Sequence, residues 1–225
     1  MKNDHLNVSR LRADLLEAIA PHVPFDGWSE PAFREAVHAL GIDPAIARLV
    51  CPRGAVDLAA EYHRKADREL AKALAEADFS EMRFRDKVAT ALRMRFELVD
   101  RDLVSRGASV FALPQNAAMG AKLVWETADL IWRALGDTSV DYNWYSKRLT
   151  LSGVISATTL FWIGDDSEGH AESWAFLDHR IENVLQFDKV KTKLLKVPGL
   201  KGFLENLRAP APMAAPGHVA GEEVA

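Results

Sequence analysis

The sequence predicts an all-α protein, on three observations. Apolar residues recur at spacings of three and four through nearly the whole chain, the period of a helix with one face turned inward. Gly or Pro separates most of the periodic segments, as expected where helices stop and start. Alternating runs of β-branched residues, which would mark strands, are absent from the sequence.

The first helix is predicted from about Ser9 to Ala20, with Leu11, Leu15, Leu16 and Ile19 as its apolar stripe and Pro21 and Pro24 ending it. Phe25 and Trp28 fall in the connection that follows and are expected to plug the small N-terminal domain. Ser29 is an N-cap, with Pro31 in the first turn, for a helix to Leu40. Gly41 closes that helix in the left-handed conformation. Asp43-Pro44 caps a short helix through about Val50. Helix, glycine turn and short helix form a helix-turn-helix arrangement. Its setting resembles the N-terminal domain of TetR-type regulators.

A long helix is predicted from about Arg53 to Ala77, and another from about Ser80 to Val104. The second has the stripe Val88, Leu92, Phe96 and Val99, and Arg83, Arg85, Arg93, Arg95 and Arg101 are read as largely solvated. Gly107 breaks the pattern. Pro114 starts a helix through Met119, Leu123, Ala128, Ile131 and Leu135 that Gly136 ends. The next is predicted over 141–163. The last starts near Ser167 and spaces Trp174, Leu177, Ile181 and Val184 as a narrow seam, suited to another helix or a second subunit.

The chain has 225 residues, 48% hydrophobic and 27% charged, as in ordinary globular proteins. A net charge of −4 gives no whole-chain attraction to nucleic acid or membrane. The single cysteine, Cys51, excludes an intrachain disulfide and is expected as a packed small residue. Neither a signal peptide nor a spanning helix is predicted, so membrane contact is expected to be peripheral.

DNA binding is disfavoured by charge. Residues 1–60 carry six Lys and Arg against eight Asp and Glu, a net −2 that a phosphate backbone repels. The short helix after Asp43 offers Arg48 but no cluster able to read base edges. Enzyme chemistry finds equally little support. There is no glycine-rich phosphate loop, no nucleophile elbow and no paired-cysteine metal motif. Glu35 and His38 form a lone Glu-x-x-His pair, read as a solvated face because a di-iron bundle needs two such pairs. Asp165, Asp166, Glu168 and His170 cluster in a turn and are read as caps for the next helix. No catalytic residue, metal site or cofactor is expected.

Two features point to lipid. The central helices carry an apolar inventory larger than one seam needs, including Leu123, Ile131, Val154, Ile155 and Phe161. These five are the candidate lipid-binding residues, although a filled core would accommodate each. Gly153, Ser156 and Ala157 either leave room or let helices pack closely. The segment 188–208 has a net charge of +4 and a broad apolar face, the composition of a helix lying in a lipid interface. Leu194, Leu195, Leu200, Phe203, Leu204 and Leu207 are its candidate membrane residues. Folding back onto the main body or onto a dimer partner is the other reading of that segment.

The densest signal is the run Asp141-Tyr142-Asn143-Trp144-Tyr145-Ser146-Lys147-Arg148. Successive side chains on a helix point about 100° apart, so Trp144 and Tyr145 do not both face one core stripe. Exposed aromatics beside Lys147 and Arg148 suit a surface that meets a partner or a lipid head group. With Thr158-Thr159 and Phe176-Leu177-Asp178-His179-Arg180 downstream, this segment resembles the accessory lipid-binding family of ubiquinone biosynthesis. Looser similarity runs through Phe25-Asp26-Gly27-Trp28-Ser29 and Leu40-Gly41-Ile42. Tyr142 and Lys147 depart from the Phe and Arg of other members but keep the residue type.

The resemblance implies a TetR-like homodimer that does not bind DNA. It implies a helical domain that holds an isoprenoid quinone precursor or phospholipid, and a C-terminal helix on the membrane surface. It also implies a non-catalytic role, presenting demethoxyubiquinone-type intermediates to a membrane-associated di-iron hydroxylase. Trp144 and Tyr145 become patch residues for that partner, with Asp141 and Arg148 as flanking polar contacts. The mitochondrial members carry a transit peptide, and its lack in this sequence is read as a bacterial cytoplasmic protein, peripheral on the inner membrane. The predicted organisation is a helix-turn-helix-like domain at 1–52, a helical lipid-binding and dimerisation domain at 53–187, the membrane-contact segment at 188–208 and a disordered tail at 209–225. The alternatives are a TetR-type ligand-responsive transcription regulator and a solid-cored assembly factor that only bridges enzymes.

Overall fold

In the computed structural model, residues 8–140 and 142–194 are described, with side chains through 183. All regular structure among them is helical. The elements are α1 (Val8–Ile19), α2 (Val23–Asp26), α3 (Glu30–Ala39), α4 (Pro44–Val50), α5 (Ala55–Glu76), α6 (Phe84–Glu97), α7 (Arg101–Phe111), α8 (Pro114–Ala134), α9 (Tyr142–Ile163) and α10 (Ala171–Leu194). Short 3₁₀ turns precede α2 and α10. None of these helices is long and apolar enough to cross a membrane.

Two apolar cores organise them. The first joins α1, α3, α4 and the start of α5 around Leu15, Ile19, Phe33 and Leu58, and takes in Leu103 of α7. The second joins the end of α5 with α6, α8, α9 and α10 around Leu70, Leu92, Ile131, Val154 and Leu177. Helix α5 thus runs from one core into the other. The predicted seam of α10 packs on α6 and α9 through Leu177 and Ile181, and the Val184 side chain lies outside the described residues.

The helix-turn-helix forms where its punctuation predicts. Ser29 Oγ accepts from the Ala32 N–H at 3.3 Å and Asp43 Oδ1 from the Ala45 N–H at 2.7 Å. Each satisfies an amide that a helix start leaves unpaired. Gly41 adopts φ +62° between the two helices, a conformation a β-carbon resists.

Four expectations need correction. Phe25 does not plug the small domain: its side chain is 85% exposed, whereas Trp28 is 4% exposed and donates its indole N–H to the Leu103 carbonyl at 3.1 Å. The helix predicted over 80–104 is two helices. Asp100 stops the first and caps the second, its Oδ1 accepting from the N–H groups of Asp102 and Leu103 at 2.9 and 3.1 Å. Gly107 is not a breaker but sits inside α7, where a β-carbon would stand 3.7 Å from the Trp28 indole nitrogen. Arg95 is buried rather than solvated, paired with Asp67 of α5 at 2.7 Å.

Replacing Asp100 with Ala removes two amide partners at the start of α7. A destabilisation of about 1 kcal/mol is expected for a lost N-cap, and urea titration followed by circular dichroism measures it.

Candidate ligand cavity and aromatic platform

Helices α5 to α9 do not close completely on one another. A cavity of about 380 Å³ remains between them, inside the range of small-molecule sites. Small residues of α7 and α8 form part of its lining. Gly107, Ala108, Ala117, Gly120 and Ala121 all line it. At Gly120 the approach is so close that a β-carbon would stand 2.7 Å from Phe111 Cβ. Leu92, Phe96, Leu123, Val124 and Ile155 supply apolar wall. Ala112, Ala117, Ala121, Ser156 and Leu160 are exposed lining residues and mark the mouth. Leu92, Arg95, Leu123 and Thr127 are buried and form the floor.

The floor carries a polar group. Asp67 accepts from Arg95 Nε at 2.7 Å and from Thr127 Oγ1 at 2.9 and 3.1 Å. His63 Nε2 stands 2.8 Å from Thr127 Oγ1. Burial disfavours the charged imidazole and lowers the His63 pKa to about 4, against the pull of Asp67, so His63 is neutral at pH 7. Beside the cavity, Tyr62 Oη accepts from the Asp100 N–H at 2.7 Å, and burial raises its pKa.

A second feature lies on the α8–α9 hairpin. The Trp144 and Tyr145 rings meet edge to face at 4.8 Å, and Trp125 of α8 packs on Trp144 at 5.9 Å. All three are part-exposed. The Arg148 guanidinium lies 4.1 Å from the Trp144 ring centroid, a cation–π arrangement. Its Nε donates to Asp129 at 2.6 Å, and its Nη1 donates to Asp137 at 2.9 Å and to the Trp144 carbonyl at 3.1 Å. Lys147 also donates to Asp137, at 2.7 Å. Burial pushes the Asp137 carboxyl up, but hydrogen bonds from Lys147, Arg148 and Ser139 outweigh it and lower its pKa from 3.8 to about 2.

The candidate residues separate as follows. Trp144 and Tyr145 come together as an accessible pair. Arg148, expected as a flanking surface contact, is 1% exposed and supports the pair from beneath. Asp141 lies outside the described residues. Of the lipid-binding candidates, Leu123 and Ile155 line the cavity. Ile131 sits in the second core, Val154 lines a small cleft of about 60 Å³ beside Trp132, and Phe161 stacks on Phe176 at 4.5 Å near the surface. For the membrane candidates, Leu194 is described only in its backbone. Leu195, Leu200, Phe203, Leu204 and Leu207 lie outside the described residues. The small-residue run Ala117-Ala118-Met119-Gly120-Ala121 was the overlooked signal for the cavity. Trp125, Arg95 and Asp67 carried none, because their partners are remote in sequence.

The turn before α10 is a cap. Asp165 accepts from the Ser167 and Ser173 amides and from the Ser173 hydroxyl. Those serines hold its carboxyl well below the usual range. Glu35 and His38 are exposed. Among the described residues no group of three or more His, Cys, Asp or Glu could hold a metal ion.

Removing the Arg148 charge leaves Asp137 with Lys147 alone and Asp129 with Arg133 alone. Arg148→Met should destabilise by about 3 kcal/mol, the low end for a broken buried pair because each carboxylate keeps one cation, against about 1 kcal/mol for Trp144→Ala, in parallel denaturant titrations. Asp137 supplies a pH signature. Its folded pKa lies below its unfolded value, so its contribution is complete above about pH 4 and fades as pH falls through about 2. The stability gap between wild type and Asp137→Asn, roughly 2 kcal/mol for such a shift, should be flat from pH 7 to 4.5 and shrink towards pH 2.

Comparison with known proteins agrees with this architecture. A family model described as COQ9 matches residues 117–188, which hold α8, the platform and most of α10. The chain is 26% identical over 209 residues to the probable ubiquinone biosynthesis protein coq9, mitochondrial, of Dictyostelium discoideum, covering 88% of this chain and 68% of that one. It is 29% identical over 185 residues to ubiquinone biosynthesis protein COQ9, mitochondrial, of Drosophila melanogaster, covering 80% and 56%. The human protein of that name is 27% identical over 195 residues, covering 82% and 60%. The chain thus spans little more than half of the Drosophila and human relatives' length. These names overturn the expected bacterial cytoplasmic placement at the inner membrane, because the relatives are mitochondrial. That expectation rested on the lack of a leader, and an alignment to part of longer relatives leaves the start of the chain uninformative about compartment. Among solved structures, a TetR transcriptional regulator from Nitrosomonas europaea superposes with a TM-score of 0.62 at 15% identity, covering 77% of this chain and 97% of that one. The chain therefore has an all-α, TetR-like fold and resembles the COQ9 proteins of ubiquinone biosynthesis.

Proposed function

We propose that this chain is a non-catalytic accessory protein of ubiquinone biosynthesis. It binds a lipid in the cavity and presents a demethoxyubiquinone-type intermediate to a membrane-associated di-iron hydroxylase. The observation that carries this reading is the cavity of about 380 Å³. Its lining is mostly apolar, with small residues of α7 and α8 among it. Leaving such a volume unfilled forfeits dispersion and burial that a solid core would gain, so a hydrophobic ligand is the natural occupant.

The platform supports the second half of the reading. Trp and Tyr dominate interface energetics when they sit on a rigid support, and Trp144 is held by a buried arginine. The hydroxylase as partner follows from the resemblance, as does a homodimer. Membrane contact is proposed for 188–208 from its sequence, since a basic amphipathic segment is drawn to anionic head groups. A carrier is needed because each methylene-sized unit of a prenyl tail costs about 0.8 kcal/mol in water.

Native mass spectrometry with lipid extraction tests this reading. Wild-type protein from a ubiquinone-producing host should carry a quinone precursor or phospholipid. Ala108→Trp, which fills the cavity from a part-exposed position, should lose it while keeping its thermal midpoint. Trp144→Ala should keep the lipid but bind the hydroxylase about thirtyfold more weakly, the scale of an aromatic hot spot. Lipid-free wild-type protein that still binds the hydroxylase would leave a bridging factor, and binding to duplex DNA would overturn both.

A further inference from the structure

The small cleft beside Trp132 is built differently from the cavity. At about 60 Å³, against about 380 Å³, it is a notch that meets part of a molecule and encloses none. Phe84 of α6 stacks on Trp132 of α8 at 5.2 Å and is 42% exposed. Arg85 and Lys147 line the cleft together with the hydroxyl residues Ser146 and Thr150. No acidic side chain among the described residues lines it, and its base is apolar. Two cations and two hydroxyls above an apolar base, beside an exposed aromatic ring, match an anionic group carried on an apolar body.

The cations have donors to spare. Arg85 Nε stands 3.4 Å from Asp86, and its guanidinium makes no hydrogen bond among the described residues. Lys147 Nζ donates to Asp137 and to Ser139, each at 2.7 Å, which leaves a third N–H. Each carboxylate in the surrounding ion pairs is shared by two cations. Asp86 lies between Arg83 and Arg85, Asp129 between Arg133 and Arg148, and Asp137 between Lys147 and Arg148. Five cations thus meet three carboxylates. The balance stays positive when Lys87 is counted with Asp78 and Glu81 of the loop before α6.

The course of the chain indicates the occupant. Asp178 of α10 pairs with Arg93 of α6 at 3.0 Å, and one turn later Ile181 lines the cleft. The α10 backbone continues to Leu194, so position 188 lies about 10 Å beyond Ile181 at about 1.5 Å per residue. The segment 188–208, of net charge +4, therefore leaves the body at the end that carries the cleft. Positive surfaces side by side repel unless they face a common anion, and an anionic bilayer is one.

We propose that this cleft seats the phosphate of an anionic phospholipid at a bilayer surface, with Arg85 and Lys147 donating to the phosphate and the Phe84 ring entering the boundary below the head groups. The inference rests on the membrane contact proposed above for 188–208 and deepens it. The folded body has a contact of its own, and two contacts fix its tilt where one would let it swing. Lys147 is three residues from Trp144 on α9, so the aromatic platform stands beside the bilayer, within reach of a membrane-associated partner.

Cosedimentation of the full chain with vesicles of phosphatidylcholine, alone or mixed with phosphatidylglycerol, tests it. Wild type should bind the mixed vesicles. Arg85→Gln should bind them about fivefold more weakly, the scale of one basic residue at an anionic surface. Arg34→Gln, which removes an exposed cation of α3, should bind as wild type does. A second measurement leaves the cleft intact. Cys51 is the single cysteine and is buried, so an environment-sensitive dye can be placed on Val140→Cys or on Leu49→Cys. Val140 lies in the turn whose Ser139 holds Lys147, and Leu49 lies on α4. Both are exposed, at 72% and 80%. On mixed vesicles the dye at 140 should shift to the blue and be quenched by a lipid-borne quencher, and the dye at 49 should do neither. Wild-type affinity in Arg85→Gln, or the same response from both dyes, overturns the cleft as a lipid seat while leaving the membrane contact of 188–208 intact. So does displacement by inorganic phosphate at constant ionic strength, which would make the cleft a site for a free anion. Failure of wild type to bind the mixed vesicles overturns the cleft and the membrane contact together.

Discussion

The closure of the α8–α9 hairpin depends on one fully buried cation. Arg148 holds Asp129 on α8, Asp137 in the connecting turn and the Trp144 carbonyl on α9. A guanidinium away from water is tolerable only when its donors are satisfied and its charge is met. Three elements converge to do this, and Lys147 joins them at Asp137. The same hairpin provides one wall of the cavity and the whole aromatic platform. Within five residues of α8, Trp125 belongs to the platform, Thr127 to the cavity floor and Asp129 to the clamp. Trp125 and Asp129, one turn apart, share the face that meets Trp144 and Arg148, while Thr127 between them points about 200° away to the cavity.

The second buried arginine plays the corresponding part on the other side of the cavity. Arg95 links α6 to α5 through Asp67, and Thr127 brings α8 to the same carboxylate. This polar group lies on the floor of the cavity that Gly107, Ala108 and Gly120 also line. The two arginines thus account for a combination that apolar packing alone does not produce. The cavity has a defined floor, and the platform has a rigid base.

What the sequence made legible was local, and what it hid was remote. The caps at Ser29 and Asp43 and the glycine turn at Gly41 are each decided within four residues, so reading them needs no partner. Asp100 carries the same kind of local signal, but the apolar period continues across it, and the period prevailed over the cap. Gly107 looks like a breaker, but it lies inside α7 facing Trp28, far away in the chain. Arg95 and Arg148 look solvated because most arginines on charge-rich helices are. Only Asp67 and Asp137, on other elements, turn them inward. Apolar residues named for lipid binding divided between core and cavity for a similar reason. Periodicity says that Leu123 and Ile131 face inward. Only the small residues opposite Leu123 determine that it meets a void.

The N-terminal helices of this TetR-like fold offer few of the groups that DNA reading uses. A reading helix needs cations and amides aimed at the groove. In α4 the only cation is Arg48, and it is bonded to Glu30 and lies over the Phe33 ring. Glu30 is also bonded to Arg34, so α3 absorbs the cation that would have to face phosphate. Elsewhere on α4, Pro44, Ala45 and Leu49 are exposed and apolar, which offers a base edge little beyond contact with a thymine methyl. The sequence over 1–60 carries a net −2, a balance that does not favour a polyanion. The constraint that preserves these helices is internal. Trp28 and Leu103 tie the small domain to α7, and α7 is a wall of the cavity.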